Sequence, residues 1–117
     1  MDALSPSPTP LTIAFFGLGA VGSSMLICLS ELAERDDVAL RFVVVVLNVE
    51  LARDALFHAE RLFDRIDFIG LSDFAPLFDG TAPELEQLSG AEVLVNAAYP
   101  GFNRPLLELG LRLGAHV

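Results

Sequence analysis

The chain has 117 residues, 53% of them hydrophobic, with a mean hydropathy of +0.55; that is enough for one compact domain with a buried core and too little for two. Sixteen acidic residues against seven basic ones give a net charge of −9, which repels nucleic acid and anionic lipid surfaces at long range. A single cysteine, Cys28, excludes an internal disulfide and any cysteine-based zinc cluster, and fits a reducing, cytoplasmic setting.

Residues 1–10, with three prolines and two serines, read as a mobile lead-in to a domain over 11–117. Leu11 to Phe16 is a short apolar run ending at glycine, a buried strand by length and flanks. Val21, Met25, Leu29, Leu32 and Ala33 then recur at helical spacing, with Cys28 expected among them as a buried small hydrophobe. Ile13 to Ser30 is apolar enough to suggest a membrane span, but no basic cluster flanks it and three glycines interrupt it, so a turn opening a helix is expected instead.

Leu40 to Leu47 contains four consecutive valines, apolar on both faces, as in a central parallel strand covered from both sides. Ala52, Ala55, Leu56, Ala59, Leu62 and Phe63 predict a second helical stripe, and Ile66 to Leu71 a third strand. Thr81-Ala82-Pro83-Glu84 has capping-box spacing before Leu85 and Leu88, predicting a short helix closed by Gly90. Ala91 to Val95 is a fourth strand and Asn96 to Gly101 a loop. A last helix is expected with Asn103 as N-cap, Pro105 in its first turn and Gly114 as its stop, after which Ala115-His116-Val117 open a fifth strand. This alternation predicts an α/β fold, a three-layer, doubly wound parallel sheet cut short after the start of its fifth strand.

The segment Gly17-Leu18-Gly19-Ala20-Val21-Gly22 lies between the first strand and the first helix, and a second buried strand follows within about thirty residues. In that context each glycine has a steric task. Gly17 permits the sharp turn, Gly19 lets a pyrophosphate approach the main chain, and Gly22 lets the helix pack against the strand. Ala20 and Val21 complete the helix N-terminus, which offers unpaired N–H groups and about half a positive charge to phosphates. The spacing therefore predicts a dinucleotide site. The residue ending the second strand usually discriminates NAD from NADP, by an acid on the ribose 2′-OH or a cation on a 2′-phosphate. Here that stretch is Leu47-Asn48-Val49-Glu50; Leu47 can bond neither group, Asn48 can bond either one only weakly, and the choice between NAD and NADP stays open.

Around these residues the chain resembles the N-terminal NAD(P)-binding domain of the saccharopine dehydrogenase-like oxidoreductases. The carrying segments are Ile13 to Gly22 and, more specifically, Ala91-Glu92-Val93-Leu94-Val95-Asn96-Ala97-Ala98-Tyr99-Pro100, running on through Phe102-Asn103-Arg104-Pro105 to Leu113-Gly114-Ala115-His116-Val117. The resemblance spans nearly the whole chain after residue 10. It implies that Asn96, Ala97, Ala98 and Tyr99 lie along the nicotinamide and its ribose, with Tyr99 stacking there or plugging the loop. It also implies hydride transfer at an amine or imine carbon in a full-length enzyme, whose substrate domain and proton-transfer groups would follow these residues. No catalytic residue is expected within the 117. The partners expected are the cofactor and that substrate domain, with self-association left open, and neither nucleic acid nor a membrane.

The chain departs from the family pattern at Leu47-Asn48, where an acid or base is expected. A non-catalytic nucleotide-sensing domain, of the kind that regulates ion channels, would use a similar glycine turn, and the Asn96 to Pro100 loop favours the dehydrogenase. His58 reads as a solvated side chain with no metal-spaced partner, so no metal site is expected. Asp73, after the third strand, is a weaker candidate for the adenine edge.

Overall fold

The computed structural model describes residues 10–117, so of the expected lead-in only Pro10 is seen. The strands are β1 (Leu11–Phe16), β2 (Leu40–Val46), β3 (Ile66–Gly70) and β4 (Val93–Asn96); the helices are α1 (Gly19–Arg35), α2 (Val49–Ala55), α3 (Ala75–Asp79) and α4 (Asn103–Leu113). All strand pairings are parallel, in the order β3-β2-β1-β4.

Side chains alternate across the pleat, which explains why the strand sequences are apolar without interruption. Ile13 and Phe15 of β1 join Phe42, Val44 and Val46 of β2 in a core beneath α1, α2 and residues 57–65. Ala14, Phe16, Val43 and Val45 point the other way, into a second core with Phe74, Leu77, Leu88, Leu106 and Leu109. The result is the three-layer, doubly wound arrangement the sequence predicts. His116 pairs in parallel with Val93: its N–H donates to the Glu92 carbonyl at 2.8 Å and its carbonyl accepts from the Leu94 N–H at 2.7 Å. The opening of a fifth strand is thus present.

Four local expectations are corrected. First, α1 buries Gly22, Ser23, Leu26, Ser30 and Ala33, whereas Val21, Met25 and Leu32 are exposed and Cys28 lies outside. Close approach to the sheet selects small residues rather than apolar ones. The serine hydroxyls are satisfied by donating to Ala20 O at 3.1 Å and Leu26 O at 2.9 Å, so burying them leaves no polar atom unpaired. The apolar stretch Ile13 to Ser30 divides between β1 and α1, and no helix among the described residues is long and apolar enough to cross a membrane.

Second, the stripe from Ala52 to Phe63 is not one helix. α2 ends at Ala55 and a 3₁₀ segment, Phe57–Arg65, follows, with a break at Ala59 (φ −126°, ψ 37°). Leu56, Ala59 and Leu62 are all buried, and their three-residue spacing matches the 3₁₀ period better than the α period.

Third, Thr81 caps nothing. Its hydroxyl and its N–H both donate to Asp79 Oδ1, at 2.6 and 3.0 Å, and Pro83–Leu88 is a 3₁₀ segment capped by no side chain. Fourth, Asn103 is already helical, because a 3₁₀ turn over Pro100–Phe102 leads directly into α4.

Two measurements test this packing. Leu26 is fully buried, so Leu26→Ala should cost about 3 kcal/mol in urea unfolding, while Met25→Ala, on the outer face, should cost under about 1. Equal losses would contradict the orientation of α1. The Thr81 hydroxyl bond, then its N–H bond and the charge of Arg112, hold the Asp79 carboxyl below the usual aspartate range. A depressed folded-state pKa stabilises the fold above the ordinary aspartate pKa, and that contribution disappears as pH falls through the lower folded value. Thr81→Val should therefore move the Asp79 midpoint upward in an NMR titration; an unmoved midpoint would show that the hydroxyl is not the cause.

Candidate functional site

From β3, at one edge of the sheet, the chain crosses back to lay β4 on the far side of β1. Strand order therefore reverses between β1 and β4, and the loops leaving their carboxyl ends diverge around a crevice. Phe16 and Asn96, the last residues of the two strands, are paired in register, so the glycine turn and the 97–101 loop start side by side. Two backbone bonds fasten them: Gly17 N–H donates to Val45 O at 2.8 Å, and Ala97 N–H donates to Phe16 O at 2.9 Å.

Gly17 has φ +81°, and a Cβ there would stand 2.6 Å from the Ala98 Cβ and 2.8 Å from its Cα. Conformation and space both require glycine. A Cβ at Gly22 would meet the Ala97 Cβ at 2.9 Å, so this glycine lets α1 approach the loop after β4, not a strand as expected from sequence. Gly19 differs. Its φ is +56°, yet beyond its chain neighbours and its own helix no described atom lies within 4 Å of where its Cβ would be. The space beside the main chain is open at that point.

α1 begins at Gly19, and its N-cap residue Leu18 cannot cap with its buried apolar side chain. No described side chain bonds the helix N-terminus and no acidic residue sits in its first turn. The orphan N–H groups of a 17-residue helix are thus left to solvent or a ligand, with the positive end of the dipole behind them. Ala20 is exposed, and Val21 is 76% exposed.

A cleft lies on either side of this turn. On the β2 side, about 280 Å³ is lined by Leu18, Gly19, Val46, Asn48, Leu51, Ala52 and Ala55. On the β4 side, about 320 Å³ is lined by Val21, Asn96, Ala97, Ala98, Tyr99, Pro100 and Asn103. The ten site residues predicted from sequence thus divide between these two clefts and the glycine turn that joins them. Asn48 is the N-cap of α2, its Oδ1 accepting from Leu51 N–H at 3.1 Å.

Asn96 organises its own loop. Its amide donates to the Tyr99 carbonyl at 2.8 Å and to Asn103 Oδ1 at 2.6 Å, while its Oδ1 accepts from the N–H groups of Ala98 and Tyr99 at 3.1 and 3.3 Å. Tyr99 is 60% exposed, and its ring meets the Phe102 ring edge-on at 5.2 Å. Phe102 continues through Phe74 and Phe78, each centred 5.1 Å away, and Phe78 reaches Phe16 at 6.4 Å. Asp73 lines a different cleft, beyond β3, where its Oδ1 accepts from Ala75 N–H at 3.0 Å. Among the described residues no acidic, histidine or cysteine cluster could hold a metal ion.

Sequence reading missed the apolar wall of the first cleft, Leu18, Val46, Leu51, Ala52 and Ala55, and the part played by Asn103 in the second. The leucine between Gly17 and Gly19 was a signal: a large apolar residue inside a glycine turn has to be buried somewhere.

No family model matches the chain, and no curated protein is similar to it. Among solved structures, the chain is similar to a glucose-6-phosphate 1-dehydrogenase from Mycobacterium avium, with a TM-score of 0.57 and 15% identity. The match covers 91% of this chain and 27% of that one. The fold is thus the Rossmann-like α/β fold, over about a quarter of the length of the dehydrogenase.

The contrast between glycines gives a test. Gly17→Ala must relieve a backbone overlap as well as a left-handed φ, so it should lose roughly 2–4 kcal/mol in urea unfolding. Gly19→Ala puts its methyl group into open space and should lose only about 1–2 kcal/mol. Comparable losses at both positions would contradict the packing of the turn on Ala98.

Proposed function

We propose that the chain is the NAD(P)-binding domain of a nicotinamide-dependent oxidoreductase of the saccharopine dehydrogenase-like type. The observation that carries the reading is the uncapped N-terminus of α1, open at Gly19 and flanked by two clefts at the reversal of strand order. A dinucleotide is two nucleosides joined by a pyrophosphate. It needs an anion cradle that the main chain can supply, and a cleft on each side of it.

In this reading the pyrophosphate lies on the first turn of α1 and accepts from its N–H groups. The adenosine half enters the cleft walled by Leu18, Val46 and Leu51, and the nicotinamide half the cleft bordered by Val21 and the Asn96 to Pro100 loop. The net charge of −9 does not prevent this, because screening limits its reach to roughly 8–10 Å while the helix N–H groups act at contact.

Bound cofactor supplies the hydride donor or acceptor; the chain binds it, orients it and keeps water from one side of it. Asn96 acts by position: it holds the loop in shape, so that Ala97 and Ala98 can lie against the glycine turn. The amine or imine substrate rests on the resemblance around Asn96 to Pro100, and on a further segment of the enzyme to bind it.

Calorimetric titration with NADH and NADPH tests the proposal. Binding of at least one is expected, and Gly19→Ala should weaken it tenfold or more by setting a methyl group where the phosphates approach, with most of the folding stability retained. A folded wild-type chain that gives no heat with either dinucleotide, or a Gly19→Ala variant with undiminished affinity, would overturn it.

A further inference from the structure

Within the proposed dinucleotide site, on whose correctness this inference rests, we infer that Gly101 is a positioning residue: it seats the Tyr99 ring as a fixed planar wall for the nicotinamide half of the cofactor. Seven residues line the cleft on the β4 side, and Tyr99 is the only aromatic one among them. It is also exposed, and an exposed side chain ordinarily hops between rotamers. This one is held on three sides.

Gly101 supplies the first side. A Cβ there would overlap Cε2 and Cζ of the Tyr99 ring and stand 2.6 Å from its hydroxyl oxygen, so the ring lies against bare main chain. The backbone gives no other reason for glycine. Gly101 sits inside the 3₁₀ turn Pro100–Phe102 and is not among the glycines with positive φ, so its conformation does not require one. Glycine in such a turn costs conformational entropy that alanine would not. The three atoms nearest to the missing Cβ all belong to the Tyr99 ring, and that ring is what the space accommodates.

Phe102 supplies the second side, its ring meeting the Tyr99 ring edge-on at an interplanar angle of 81°. Asn96 supplies the third by bonding the Tyr99 main chain at both its carbonyl and its N–H. A planar ring held in this way offers contact area without the entropy of ordering a side chain on binding. The oxidised nicotinamide ring is itself planar and aromatic, and the cleft has no other aromatic surface for it. The seat of the Tyr99 ring therefore governs how firmly the nicotinamide half is held. It has no bearing on the adenosine half, whose cleft lies on the other side of the glycine turn.

The variant Gly101→Ala tests this with the fold intact, because the atoms it displaces are the outer end of a side chain that can swing aside. The chain has one tyrosine and no tryptophan, so tyrosine emission reports on this ring by itself. In the cofactor-free wild-type chain, NMR should show the Gly101 Hα signals moved upfield by the ring, and Tyr99→Leu should return them to the ordinary glycine range. Gly101→Ala should lower the anisotropy of the tyrosine emission. It should also weaken whichever oxidised dinucleotide the wild type binds more tightly, NAD or NADP, about three- to tenfold, the worth of one aromatic contact. The matching ADP-ribose or 2′-phospho-ADP-ribose, which lacks the nicotinamide, should bind as before. With Tyr99→Leu already in place, Gly101→Ala should leave the dinucleotide affinity unchanged, since no ring remains to displace. Unshifted Gly101 signals in the wild type, undiminished dinucleotide affinity in Gly101→Ala, an equal loss for the ADP-ribose ligand, or the same loss without Tyr99 would each overturn the inference while leaving the dinucleotide site standing. A wild-type chain that binds neither dinucleotide would overturn the site itself, and this inference with it.

Discussion

The arrangement depends on one close approach, that of Gly17 and Gly22 to Ala97 and Ala98. Side chains at this contact are reduced to hydrogens on one loop and methyl groups on the other, and even one added Cβ on the glycine side would stand within 3 Å of a neighbour. The approach keeps the turn after β1 tight against the loop after β4, preserving the register of Phe16 with Asn96. It also decides which part of the glycine segment is free. With Gly17 and Gly22 turned to the protein, Gly19, Ala20 and Val21 are left facing out, and the helix N-terminus opens between two clefts.

Two asparagines finish the clefts, and each is used first as structure. Asn96 binds Ala98, Tyr99 and Asn103 around itself, joining the end of β4 to the first turn of α4, so that the loop has its shape before any ligand arrives. Preorganisation of this kind spares a binding site the entropy of ordering a loop. Asn48 starts α2, its Oδ1 accepting from the Leu51 N–H, and stands at the rim of the cleft on the β2 side. The Tyr99–Phe102–Phe78–Phe16 sequence of rings ties the same loop down to β1 through the second core. Phe74 and Phe78 are four residues apart on one side of a short helix, a spacing visible in the sequence, but their contact with Phe102 spans more than twenty residues of chain and required the fold.

Legibility in the sequence followed the range of the physics. β1, β2 and β3 were readable to within a residue, because strands covered on both faces are short apolar runs whatever lies next to them. The glycine turn was readable because positive φ at Gly17 and Gly19 is a local demand. The inner face of α1 was not. Hydropathy picks out Val21, Met25 and Leu32, yet the helix turns Ser23 and Ser30 inward, since the distance to the sheet favours small side chains and the hydroxyls can bond back to their own helix. Thr81 and Asn103 each have the chemistry of a cap and were misread for different reasons: the Thr81 hydroxyl bonds Asp79, two residues before it, while the 3₁₀ turn over Pro100–Phe102 draws Asn103 into the helix, where its Oδ1 accepts from Asn96.

The sequence by itself determined the alternation of strand and helix, the parallel sheet it requires, and the turn at Gly17 to Gly22, all of which rest on hydrophobic periodicity and on the backbone freedom of single residues. The tertiary structure decided which glycine faces the protein and which faces open space, that Asn48 caps α2, and that a cleft lies on each side of the turn into α1. Those outcomes depend on how closely two loops eighty residues apart approach each other. A distance between segments is set by the packing of the whole sheet, and no local pattern of residues carries it.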